Sequence, residues 1–224
     1  MKKVVLITAG GSGTRMQAAV PKQFMEVAGK PILIHTFLAF QKYAPDLEFV
    51  LVLPEEYFET WKSLCLEHRF FIRHQLAANG PTRFHSVKNG LKLVPDDALV
   101  AIHDGVRPLV SMETIERCFH QAARFGNAVP VIPANESLRL VNKALSKPLS
   151  RDQVRIIQTP QCFHARLISK AYNCSYSEEF TDDASVLEAQ GDRIFLVDGN
   201  PENIKITTPI DLIVARALLE HRSR

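Results

Sequence analysis

Cysteine is scarce in this chain. Cys65, Cys118, Cys162 and Cys174 are the only four, and no two form a Cys-x-x-Cys pair. That spacing argues against a structural zinc site, and a chain of this size needs no disulfide framework. Buried free thiols in a reducing compartment are the expectation. Long apolar runs are missing too: no stretch approaches the roughly 20 residues of a membrane-spanning helix. The opening MKKVVLITAGG starts like a signal peptide, but its apolar run ends at glycines within a few residues and reads as a first strand. A strong excess of charge of either sign is also absent. Lys and Arg number 27 against 24 Asp and Glu, a net charge of +3, and no block of five or six basic residues occurs. Nucleic acid and membrane surfaces are therefore poor partners, whereas local cationic pockets for small anions remain open. A cytoplasmic protein is expected.

The 224 residues are 46% hydrophobic, enough for a substantial core, and one domain over 1–224 is expected. Apolar, β-branched runs alternate with longer helical patterns. Strands are expected at 4–8, 49–53, 71–75, 98–103, 127–134 and 193–199. Helices are expected at 31–43, 55–68, 82–94, 112–125 and 208–222. Pro130 is an objection to a central place for the 127–134 strand. Alternating β and α elements imply an α/β, Rossmann-like, mostly parallel sheet with helices on both faces, and ligands bind such sheets beyond the carboxyl ends of the strands. The segment 135–158 is polar and has no helical face. It reads as an excursion, a protruding β-arm or interface, with a solvated loop as the alternative.

Two constellations carry chemistry. In LITAGGSGTRMQAAVPKQF a strand ends at Thr8, and Gly10, Gly11 and Gly13 follow. Glycines there let backbone amides approach an anion, and phosphate is the natural guest. Neither a Walker A loop nor the dinucleotide fingerprint fits, because Thr14 and Arg15 follow Gly13 and Met16 stands where a third glycine is needed. A bare strand-to-helix turn is the alternative; Arg15 and Lys22, the latter stiffened by Pro21, tilt the balance towards an anion site. In ALVAIHDGVRP, Asp104 lies just past a buried strand. A carboxylate at that edge suits Mg²⁺, which takes one or two protein oxygens beside phosphate and water; an Asp-Gly turn is the equal alternative. Arg107 is a substrate clamp or a rim charge. His103 reads as packed and hydrogen-bonded.

AGGSGTRM, PKQF, HDGVRP, TPQCF, TDDAS and NIKITTP occur in this order and span nearly the whole chain. Together they resemble the 2-C-methyl-D-erythritol 4-phosphate cytidylyltransferases of the non-mevalonate isoprenoid pathway. Ribitol-5-phosphate cytidylyltransferases share the first and last of these signatures. The resemblance implies transfer of CMP from CTP to a sugar-alcohol phosphate with release of pyrophosphate, aided by Mg²⁺. It implies that Ala9, Gly10, Gly11 and Gly13 wrap the CTP phosphates, that Arg15, Lys22 and Lys205 are catalytic, and that Asp104 holds the metal. Gly80, Arg83 and Ser86 match the cytidine side. Arg107, Ser137, Arg151, Thr159 and Thr181 match acceptor-binding positions. The arm, with Ser137 and Arg151, would complete the partner's site in a homodimer. The alternatives are the ribitol-phosphate enzyme and another sugar-phosphate nucleotidyltransferase.

From the residues alone, Thr181 with Asp182 and Asp183 fits a helix N-cap, Thr159 and Gln161 around Pro160 fit a turn, and Lys205 fits a strand position facing either solvent or the crevice. A phosphate nucleophile is already ionised at neutral pH, so no general base is required. The barrier is repulsion between two anions, which positioned cations lower.

Overall fold

A computed structural model of the chain describes residues 1–11, 20–142 and 145–222. In chain order the elements are β1 (Lys3–Thr8), β2 (Glu26–Val27), β3 (Lys30–Pro31), α1 (Ile32–Tyr43), β4 (Glu48–Leu53), α2 (Phe58–Glu67), β5 (Gln75–Ala78) and α3 (Arg83–Leu91). There follow β6 (Leu99–Asp104), α4 (Met112–Phe125), β7 (Asn127–Pro133), β8 (Leu138–Asn142), β9 (Leu145–Leu149) and β10 (Arg155–Ile157). The chain continues with β11 (Gln161–His164), α5 (Ala165–Ala171), α6 (Asp183–Glu188), β12 (Leu196–Asp198) and α7 (Pro209–Arg222).

β1 is central. It pairs in parallel with β4 on one side and β6 on the other, and β4 pairs in parallel with β5. The chain thus moves from β1 through β4 to β5, then returns to the other side of β1 as β6. That reversal is a topological switch point, and it opens a crevice at the carboxyl ends of β1 and β6. Thr8 and Asp104 are register partners there. β11 then joins β6 in the antiparallel sense, so the sheet is parallel at its centre and mixed at one side.

Alternation along the strands builds two core layers. Val5, Ile7, Phe49, Leu51, Leu99 and Ala101 face α1 and α4, where Phe37, Phe40 and Phe119 fill the space. Val4, Leu6, Val50, Val52, Val100 and Ile102 face α3 and α5, against Phe84, Val87, Ile168 and Tyr172. Both faces are covered, which is why successive positions in these strands, Val4–Ile7, Phe49–Leu53 and Leu99–Ile102, are apolar.

β10 and β11 run one after the other along β7, pairing with residues 131–133 and 127–128. Between them the pairing is interrupted at a cis Thr159-Pro160 bond. Pro130 lies opposite that interruption: its carbonyl accepts the Gln158 N–H at 2.8 Å, and no ladder bond there asks for the N–H it lacks. A central proline is tolerated because the neighbouring strand is broken beside it. The 135–158 excursion contains an antiparallel ribbon of β8 and β9, so it is a β-arm.

Some expectations shift. The third strand is at Gln75–Ala78, not 71–75. Phe71 is 75% exposed, and the His74 ring turns inward to accept the Trp61 indole N–H at 2.8 Å. The β2–β3 hairpin, β11, α5 and α6 are short elements without a readable period. Residues 203–207 form no strand; the segment is held to the sheet side by Ile206 N–H on the Val106 carbonyl at 2.9 Å.

Gly90 marks a close approach of α3 to the sheet. A Cβ there would lie 2.7 Å from Val52 Cγ2 and 2.8 Å from Leu6 Cδ1. Gly90→Ala should therefore destabilise the chain by about 1–3 kcal/mol despite alanine's better helix propensity. Urea unfolding reads this directly, and an unchanged or raised midpoint would contradict the packing described.

Candidate active site

Three segments that each follow a parallel strand meet at the crevice. Ala9–Gly11 leaves β1, Asn79–Thr82 leaves β5, and β6 ends at Asp104 with Val106 just beyond. With Lys22 and Lys205 they line a cavity of about 450 Å³. Of the residues expected at the site, Ala9, Gly10, Gly11, Lys22, Gly80, Arg83, Ser86, Asp104 and Lys205 all line it. Gly13 and Arg15 lie outside the described residues.

Lys22 owes its place to its neighbours. Pro21 precedes it in an extended conformation, and residues Lys22–Phe24 form one 3-10 turn. Gln23 is buried and donates to the Ala9 carbonyl at 2.9 Å, which ties the two ends of the glycine segment together. Phe24 packs against Tyr57 and Trp61. A rigid proline on one side and two anchored residues on the other fix the backbone of Lys22, whose Cε would lie 3.8 Å from a Cβ added to Gly11.

On the cytidine-side segment, Thr82 caps α3. The Ser86 hydroxyl donates to the Thr82 carbonyl at 2.9 Å and accepts the Gly80 N–H at 3.0 Å. A Cβ on Gly80 would sit 2.4 Å from His85 Cβ, so glycine is required where the loop folds back on the helix.

Asp104 is the electrostatic centre. Its side chain is only 9% exposed, and it meets Lys205 Nζ at 3.0 Å, Arg107 Nε at 3.2 Å and Arg83 Nε at 3.8 Å. Burial alone would raise its pKa; Lys205, Arg83 and Arg107 together outweigh that and hold it well below the usual carboxylate range. Its carbonyl also accepts the Arg107 N–H at 3.1 Å, so the Asp-Gly turn coexists with the side-chain cluster. Arg107 is tucked beneath: its Nη1 donates to the Asn203 carbonyl at 2.7 Å.

Arg83 faces two acids. Its terminal nitrogens donate to Asp183 Oδ1 at 2.8 Å and Oδ2 at 2.6 Å. Burial works against the guanidinium charge, but Asp183 and then Asp104 more than restore it and raise the pKa. The expected cap at 181–183 is present with Asp182, not Thr181, as the N-cap, in a capping box with Ser185. Thr181 is exposed just before it.

Thr159 is buried. Its hydroxyl oxygen accepts the Asp104 N–H at 3.1 Å, and the hydroxyl meets His103 Nδ1 at 3.0 Å, while His103 Nε2 lies 3.0 Å from the Arg107 carbonyl. One assignment satisfies all three: Nε2–H donates to the carbonyl and the threonine O–H donates to Nδ1, a neutral ring. Burial pushes His103 down to about 4, consistent with that. Ser137 and Arg151 lie exposed on the arm, outside the cavity lining, and Arg151 Nη1 donates to the Asn135 carbonyl at 3.2 Å.

Several supports went unread in the sequence. Gln161 donates to Asp182 Oδ2 at 2.7 Å and accepts the Ala184 N–H at 2.8 Å, pinning α6 to β11. Asn203 donates to the Thr159 carbonyl at 2.8 Å, and Gln158 to the Asn200 carbonyl at 2.9 Å. These bonds set the strand-free segment that carries Lys205. Amides in coil or in so short a strand leave no periodic trace, though each lies within or beside a quoted motif.

The IspD family, described as 2-C-methyl-D-erythritol 4-phosphate cytidylyltransferase, matches residues 3–221. The chain belongs to this family. A relative of that name from Bacteroides thetaiotaomicron is 50% identical over 219 residues, covering 98% of this chain and all of the relative. Among solved structures, the 4-diphosphocytidyl-2C-methyl-D-erythritol synthase of Anaerococcus prevotii superposes with a TM-score of 0.83 at 27% identity, covering 98% of this chain and 96% of that one. The family's enzyme from Thermus thermophilus gives 0.79 at 31% identity, covering 98% and 100%.

His103 gives the site a testable pH signature. Its folded pKa lies below the unfolded value, so the unfolded chain binds the extra proton between the two. Stability attributable to this ring is complete above about pH 6.5 and is lost as pH falls towards 4, by about 3 kcal/mol in all. Comparing urea midpoints of wild type and His103→Asn across pH 4–7 should show a shallower decline in the variant. Parallel curves would contradict the assignment.

Proposed function

We propose that this chain transfers the cytidylyl group of CTP to 2-C-methyl-D-erythritol 4-phosphate, giving CDP-methylerythritol and pyrophosphate, in isoprenoid biosynthesis. The single observation that carries the reading is the convergence of Lys22, Arg83 and Lys205 with Asp104 and the Gly10–Gly11 backbone in one crevice, Arg107 bracing Asp104 from beneath. The family name supports this acceptor over ribitol 5-phosphate.

The acceptor phosphate attacks the α-phosphorus of CTP and pyrophosphate leaves. No proton need be removed from the nucleophile at neutral pH. Glycine-loop amides hold the triphosphate, while Lys22 and Lys205, with Arg15, neutralise charge gathering at the α-phosphoryl oxygens. Lys205 is 40% exposed, so its amine can turn from Asp104 to an arriving phosphate. Asp104 keeps it within reach until then.

A divalent cation fits on restricted terms. Among the described residues, Asp104 is the one carboxylate lining the crevice, and no group of three His, Cys, Asp or Glu could hold a metal. Mg²⁺ tolerates a single protein carboxylate when phosphates and water complete its shell; bound that way beside Asp104, it would neutralise further phosphate charge.

The β-arm supports a homodimer. Leu140, Val141 and Leu145 are 50–78% exposed on the β8–β9 ribbon, a cost a second copy would relieve. Ser137 and Arg151 on that arm, with Arg107, Thr159 and Thr181, are the acceptor-side residues of this reading. No helix among the described residues is long and apolar enough to cross a membrane, and all four cysteines are free, which suits a cytoplasmic setting.

Pyrophosphate release measured with four nucleoside triphosphates and both acceptors should appear only with CTP and methylerythritol phosphate. Turnover only with ribitol 5-phosphate would overturn the reading. Lys22→Ala should lower kcat by about 10²–10³-fold, well beyond its effect on CTP affinity.

A further inference from the structure

The second acid of TDDAS does more than its place at a helix start requires. Asp182 already caps α6, and an acid in the first turn ordinarily points to solvent. Asp183 is instead fully buried, with 0% exposure. Its two oxygens receive the two Arg83 terminal nitrogens, and Oδ1 also accepts the Tyr172 hydroxyl at 2.6 Å. The Tyr172 ring in turn stacks on Phe84, the next residue of α3, at 4.7 Å. Three elements thus fix one guanidinium: α6 through Asp183, α5 through its C-cap Tyr172, and α3 itself.

The two-point pair sets the plane of the guanidinium as well as its position. With the terminal nitrogens bonded to Asp183, Arg83 approaches Asp104 through Nε, at 3.8 Å, while Arg83 lines the crevice. Two carboxylates compete for this arginine, and the more deeply buried Asp183 takes the stronger geometry. Asp183 therefore keeps Arg83 from closing fully onto Asp104 and leaves Asp104 to Lys205 and Arg107.

We propose that Asp183 is a positioning residue that acts through Arg83: it holds the guanidinium in the plane that receives the nucleotide and keeps it from capturing Asp104. This rests on the reading of Arg83 as a nucleotide-side group. Arg83→Met, Asp183→Asn and the double variant are compared by kcat and KM for CTP at saturating acceptor, each first checked by circular dichroism and thermal melting. Asp183→Asn should raise the KM for CTP by about 10- to 100-fold, and the double variant should match Arg83→Met alone, because a residue that acts only through Arg83 has nothing left to position. Effects that multiply independently would overturn the inference, as would an unchanged KM in folded Asp183→Asn beside an impaired Arg83→Met. A silent Arg83→Met would overturn the nucleotide-side reading and this inference with it. Should Asp183→Asn fail to fold, Arg83→Lys decides: it keeps the charge and loses the two-point pair, so a raised KM supports the positioning role and a wild-type KM contradicts it.

Discussion

A single buried carboxylate organises this crevice. Asp104 sits at the end of a strand covered on both faces, where an isolated charge would be expensive. Its stability there depends on Lys205, Arg107 and Arg83, which arrive from three separate parts of the chain. The dependence is mutual. Those cations would repel one another in a confined space, and Asp104 is what lets them gather before any substrate arrives. Three cations facing Asp104 and Asp183 leave an excess of positive charge beside the glycine segment, the preorganised state that phosphate chemistry needs.

The fold supplies the geometry through one reversal of strand order. Because β6 returns beside β1, Thr8 and Asp104 end side by side, and the phosphate-facing segment and the acid share one crevice. The rest is bracing by amides and hydroxyls. Gln23 closes the glycine segment, Thr159 holds the Asp104 backbone, and Asn203 and Gln158 set the segment carrying Lys205. The TPQ triplet links both halves: its threonine reaches Asp104 while its glutamine reaches the start of α6. Lys205 and Asp183, which lie far apart in sequence, are thereby tied to the same short stretch of chain.

Much of this was legible in residues. The apolar runs ending at Thr8 and Asp104 announce buried parallel strands, and the glycines and cations after them mark the crevice. The arm is visible as a polar break in the pattern. What escaped has physical reasons. β5 is displaced because the apolar residues Phe71 and Ile72 look strand-like while His74 is spent on Trp61. β11 and α6 are too short for a period to emerge. Asp183 is hidden behind a sound capping motif: its neighbour satisfies the local rule, and its own partner is 100 residues away. The amide braces lie in coil, at Gln158 and Asn203, or in elements too short to show a period, at Gln23 and Gln161.

The most direct test of the central claim is the titration of Asp104 itself. In a sample labelled with ¹³C at aspartate carboxyls and assigned through Asp104→Asn, the Asp104 resonance should keep its ionised shift throughout the ordinary carboxylate range, down to the pH at which the chain unfolds. A titration midpoint at or above about 4, the value of an unperturbed aspartate, would show that the surrounding cations do not hold the charge, and the account of the site would fail.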